Sequence, residues 1–83
     1  MKSSKKQLPL DVNAELQKMG ARIKALRIKK GYTSMEFFAH EHGFHRAQYA
    51  RYEKGEDLKY STLIKLLNAF SISYIEFFGE GFD

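Results

Sequence analysis

The chain contains no cysteine and one proline in 83 residues, and no apolar run in it approaches the roughly 20 residues of a membrane span. Without cysteine there are no disulfides and no thiolate metal sites, and nothing points to an oxidising compartment. The proline, Pro9, stands ahead of every periodic segment and so interrupts no helix. The first ten residues, "MKSSKKQLPL", are basic but lack the apolar core of a secretion signal, so neither export nor membrane insertion is expected, and a cytoplasmic location is. Sustained alternation of apolar and polar residues is absent, which argues against a sheet. A glycine-rich phosphate loop, a nucleophile elbow and a plausible acid–base pair are missing too, so no enzyme activity and no cofactor is expected.

What the chain does have is enough apolar matter for one small core and an uneven charge. Hydrophobic residues make up 43% and aromatics 14%, sufficient for a single domain of marginal stability. The net charge is +4, but residues 1–30 hold nine Lys or Arg against Asp11 and Glu15, whereas residues 66–83 hold only Glu76, Glu80 and Asp83. A basic N-terminal half suits a polyanion, and an acidic, aromatic end suits a protein surface.

The periodicity divides the chain into a flexible basic arm (1–10), a domain (11–78) and a short tail (79–83). Leu16, Met19, Ile23 and Leu26 form an apolar stripe on a first helix that starts near Asp11 or Asn13 and stops at Gly31. "TSME" at 33–36 is a capping box, Thr33 with Glu36, for a short second helix ending at Gly43. A third helix runs from Arg46 to Glu53 before Gly55, with Tyr49 and Tyr52 inward. Ser61 caps a fourth, bearing Leu63, Ile64, Leu66 and Leu67, and "SYIE" at 73–76 boxes a short fifth, with Ile72 and Phe77 at the staple positions. The expected fold is all-α with five helices.

All three histidines fall in "HEHGFH", residues 40–45. A zinc protease needs His-Glu-x-x-His on one helix, but Phe44 occupies the second histidine's place and Gly43 breaks the helix, so no metal site is expected at His40, His42 or His45. As geometry the same stretch reads differently. A short helix, a glycine turn and a second helix with a polar start form a helix-turn-helix, whose second helix enters the DNA major groove.

From Met19 to Phe78 the chain resembles the Cro/repressor-type, or Xre-like, DNA-binding family. The resemblance is carried by "RIKALR" at 22–27, "FA" at 38–39, Gly43, "YARYEKG" at 49–55, "STLIKLLNAFSIS" at 61–73 and "YIEFF" at 74–78. It implies a five-helix lambda-repressor-like bundle, and an ion pair of Arg27 with Glu53 that ties the third helix to the first. It also implies phosphate contacts from the start of the second helix, at Ser34 and Met35, although Met35 stands where many relatives carry glutamine. His45 replaces the usual serine or threonine cap of the third helix, and Tyr60 the usual proline before the fourth.

Helix direction supplies the remaining contacts. Arg46 and Ala47 lie in the first turn of the third helix and Ala50 and Arg51 one turn on, with Gln48 beside them; these five are the expected base contacts. An arginine bonds guanine O6 and N7 together, and an alanine offers a methyl to thymine. Lys54, Lys59 and Tyr60 are expected at phosphates, and Lys5 and Lys6 of the arm strengthen binding without choosing sequence. "YIEFFGEGF" packs four aromatics into nine residues without Lys or Arg, so Tyr74, Phe77, Phe78 and Phe82 are the expected homodimer interface. The expected function is a sequence-specific double-stranded DNA-binding transcriptional regulator. Two rivals are an antitoxin that also holds a toxin through "YIEFFGEGFD", and a protein-interaction module that no longer reads DNA.

Overall fold

The computed structural model describes residues 8–82. Among these the chain forms five α-helices and no strand: α1 Val12–Lys29, α2 Met35–Glu41, α3 Arg46–Glu53, α4 Tyr60–Phe70 and α5 Tyr74–Phe78. Asp11 starts α1, its Oδ2 accepting from the Ala14 amide at 2.8 Å. The α2–α3 turn closes on Gly43, whose φ of +76° opens the left-handed geometry in which the Phe44 amide reaches the Ala39 carbonyl at 2.8 Å. That single turn swings the chain from α2 into α3.

Two helix starts differ from the sequence expectation. The cap of α2 is Ser34, not Thr33: Ser34 Oγ accepts from the Phe37 amide at 3.1 Å, and the reciprocal bond from Glu36 is absent because Glu36 sits one position too early. The later start follows from α1, whose end holds the Tyr32 amide on the Arg27 carbonyl at 3.1 Å, so two further residues are needed before α2 can bury Phe38 and Ala39. Ser61 does not cap α4. The helix begins at Tyr60 with Lys59 in the cap position and no side-chain cap bond, because Leu58 is already packed on the core. In α5 the box is complete: Ser73 Oγ accepts from the Glu76 amide at 3.2 Å, and Glu76 Oε1 from the Ser73 amide at 2.9 Å.

The core joins all five helices. Phe38 is its hub, with Tyr49 and Phe70 at ring-centroid distances of 5.2 Å, Phe70 stacked at 17°, and His42 at 4.6 Å. Around these rings lie Ile23 and Leu26 of α1, Leu63, Leu66 and Leu67 of α4, and Phe77 of α5. Phe77 is 0% exposed, which removes it from the expected dimer interface: its ring closes the core of its own chain. Phe82 is also turned inward in part, against Phe77 at 6.0 Å and Phe78 at 4.9 Å. Arg22 of α1 then fastens α5, donating from Nε to the Phe77 carbonyl at 2.8 Å and from Nη2 to the Glu76 carbonyl at 2.7 Å. Cations at helix C-termini satisfy such carbonyls and oppose the dipole.

α1 meets α3 at Gly20. A Cβ there would stand 2.6 Å from the Glu53 carbonyl oxygen and 2.8 Å from that of Tyr52, main-chain atoms that cannot turn aside. Two effects oppose each other in Gly20→Ala: helix propensity gains about 1 kcal/mol, and overpacking loses about 1–3 kcal/mol. The clash should win, so Gly20→Ala should lower the denaturant midpoint; a midpoint at or above the parent's would show that α1 and α3 part freely.

Candidate nucleic-acid interface

α3 is placed by a buried charge. Glu53, its last residue, and Arg27 of α1 have side chains 4% and 5% exposed. Arg27 Nε donates to Glu53 Oε2 at 2.7 Å and Nη2 to Oε1 at 3.1 Å, while Nη1 donates to the Tyr32 carbonyl at 2.8 Å. Tyr49, one turn back on α3, donates its hydroxyl to Glu53 Oε2 at 2.6 Å. The hydrogen bond that Arg27 donates to Glu53 holds the guanidinium's pKa above its usual value, against the opposing pull of burial. Burial first, then the bond to Glu53, drives the Tyr49 phenol well above the ordinary tyrosine range, so it remains a donor.

With Tyr49, Tyr52 and Glu53 turned inward, the opposite side of α3 faces out. Arg46, Ala47, Gln48 and Arg51 are exposed there, and Ala50 is half-buried beside them. Arg46, Ala47, Ala50 and Arg51 therefore share one accessible face, of which Ala50 offers least, and Gln48 lies beyond its edge, toward the α3–α4 loop. Gln17 of α1 closes the far end, its Nε2 donating to the Lys54 carbonyl at 3.1 Å.

The helix-turn-helix family pattern matches residues 23–77, from the middle of α1 to α5. The chain belongs to the Cro/repressor-type, Xre-like helix-turn-helix family. It is a DNA-binding helix-turn-helix regulator. No curated protein and no solved structure matches it.

In this helix-turn-helix protein α3 is the second helix of the motif. Ser34 is exposed at the start of α2, but the Met35 side chain packs on the core, so its outward offer is the main-chain amide of a first turn. Lys54 and Lys59 are exposed on either side of the α3–α4 loop. Tyr60 is turned elsewhere: its ring stacks on Tyr74 of α5 at 6.5 Å and 12°, and the two hydroxyls are hydrogen-bonded. That bond raises the Tyr74 pKa, and Tyr60 itself stays 67% exposed. Lys5 and Lys6 lie outside the described residues. His45 gives α3 no side-chain cap. Among the described residues no three His, Asp or Glu side chains are grouped to hold a metal, and no helix is long and apolar enough to cross a membrane.

Sequence reasoning missed Gly20, Gln17 and the Tyr49 hydroxyl. Gly20 carried a signal, a glycine inside a helical stripe, and Tyr49 stands four residues before Glu53 on one helix; only the Gln17 bond to the Lys54 carbonyl joins partners that no local pattern links.

The network predicts a lopsided response. Arg27→Ala or Glu53→Ala alone should destabilise the fold by about 3–5 kcal/mol, because either leaves a buried charge unpaired. Tyr49→Phe, which removes one donor to that charge, should lose about 1.5–3 kcal/mol. Urea unfolding of the singles and of Arg27→Met with Glu53→Leu tests this: the double variant should lose far less than the two single losses together, and simple additivity would contradict a closed buried pair.

Proposed function

We propose that the protein is a sequence-specific regulator of transcription that binds double-stranded DNA as a homodimer, with one α3 in the major groove at each half of a two-fold operator. The observation that carries this reading is the outward face of α3, where Arg46, Ala47, Gln48 and Arg51 stand exposed on a helix locked from behind by Arg27 and Glu53. In it Arg46 and Arg51 bond guanine edges, Ala47 and Ala50 meet thymine methyls, and Gln48 adds a base contact. Ser34, the Met35 amide, Lys54 and Lys59 hold phosphates, as do Lys5 and Lys6 of the arm. The reading includes no catalysis and no cofactor.

Selection of bound sites from random DNA, followed by two variants, tests it. Arg51→Ala should lose about 1–3 kcal/mol on the best site and relax preference at one position per half-site. Lys54→Ala should weaken all sequences alike and reduce the salt slope by about 1. The half-sites should lie about 34–36 Å apart. Equal, uniform losses from both variants would make Arg51 a phosphate clamp.

Dimerisation rests on α5. Ile75 is 84% exposed, Tyr74 45% and Phe78 39%, an apolar surface on one short helix with Phe77 already buried beneath it. Ile75→Glu should leave the fold intact and turn a dimer into a monomer in sedimentation at tens of micromolar. A parent that stays monomeric with operator DNA present would rule the homodimer out. The same surface favours a second reading, an antitoxin whose α5 and tail hold a toxin; a parent monomer that binds such a partner through Ile75 would support it.

A further inference from the structure

α2 carries an aromatic side chain that the core does not use. Phe37 is 56% exposed, one residue before fully buried Phe38, and its nearest ring is Tyr32 at 5.7 Å. It stands in the wall of an open hollow of about 550 Å³ between α2 and the start of α3, lined by Ser34, Glu36, Phe37, His40, Phe44 and Arg46. An exposed phenylalanine in such a place gives up hydrophobic stabilisation unless something apolar covers it.

We propose that this hollow takes the C5-methyl group of a pyrimidine next to the guanine bonded by Arg46, and that Phe37 is the specificity-determining residue for that methyl. The proposal rests on the DNA-reading function above. One placement in the structure and one fact of base chemistry converge on it. The hollow includes Ser34, proposed at a phosphate, and Arg46, proposed at a base edge. In the major groove the C5-methyl of a pyrimidine is the apolar group that a base edge offers to such a side chain. The two rings, Phe37 and Phe44, then supply the apolar contact, and Arg46 the hydrogen bonds to the neighbouring guanine.

Thymine and 5-methylcytosine carry the same methyl, and one set of duplexes separates them. On the best site from the random-DNA selection, each thymine is replaced in turn by deoxyuridine, which removes the methyl and keeps every hydrogen bond. At one thymine per half-site the parent should bind about fourfold more weakly, the effect of leaving one methyl-sized group unburied. Phe37→Ala should bind the thymine and uracil duplexes alike at that position, and Phe37→Leu should restore part of the preference, which separates a lost contact from a damaged fold. Cytosine against 5-methylcytosine there names the source: tighter binding of the methylated base means either pyrimidine serves, and no difference restricts the hollow to thymine. Uracil tolerated at every position would overturn the proposal, as would a uracil penalty undiminished in Phe37→Ala, which would give the methyl to Ala47 or Ala50. A selection that enriches no site would instead remove the DNA-reading function itself.

Discussion

A carboxylate buried at the end of α3 governs the arrangement of the other parts. Glu53 accepts three hydrogen bonds, two from Arg27 and one from Tyr49, so neither oxygen of a charge that would be costly to bury alone is left unmatched. Such a pair adds little stability over an apolar substitute, but it is intolerant of rotation. Turning α3 by one residue would move each side chain about 100° around the axis, drawing Glu53 from Arg27 and carrying Arg46 or Arg51 toward the core. The Arg27 bond to the Tyr32 carbonyl extends the constraint to the loop that launches α2. Gly20 sets the distance, because α1 reaches the α3 main chain only where no Cβ intervenes. Direction and depth of the exposed face are thus fixed from behind it.

The other end of the molecule solves a different problem. Five residues make too short a helix to persist alone, and α5 exists because three attachments converge on it. Its box satisfies the first turn, Arg22 satisfies two carbonyls at the last, and Phe77 is sunk in the core. Fixing Phe77 inward dictates what points out, which is how Tyr74, Ile75 and Phe78 come to share the surface. The Tyr60–Tyr74 stack then joins that surface to the start of α4, so the two ends are not mechanically independent.

The helices, the glycine turn and the inward tyrosines were legible because each rests on a pattern within a few residues. Elsewhere the local pattern admitted two answers and packing chose. Thr33 and Ser34 are equally good caps, and the position of Tyr32 selected the second. Phe77 and Phe78 are adjacent aromatics on a five-residue helix, and only the seat beneath Arg22 decides which is buried. Ile75 escaped notice as a surface residue because an isoleucine ordinarily reads as core. The end of α4 hid for another reason: Ser71, at φ +57°, takes the left-handed position where a glycine is the usual signal. At the exposed face the arginines were placed by helix period alone, whereas the Tyr60 hydroxyl was captured by a residue fourteen positions away.

Magnitudes connect the small reading helix to the exposed α5. α3 has eight residues and two outward arginines, and acidic side chains stand close by at Glu56 and Asp57, which weaken any purely electrostatic hold. Two bidentate base contacts discriminate by about 2–6 kcal/mol at about 1–3 kcal/mol each. Specific regulators separate their sites from bulk DNA by about 4–10 kcal/mol, so one chain falls at or below the lower part of that range. In the proposed homodimer a second copy on the same duplex would double the base contacts to about 4–12 kcal/mol, which spans that range. On the proposed reading, the apolar side chains left outside on α5 supply the pairing surface that so short a reading helix would need.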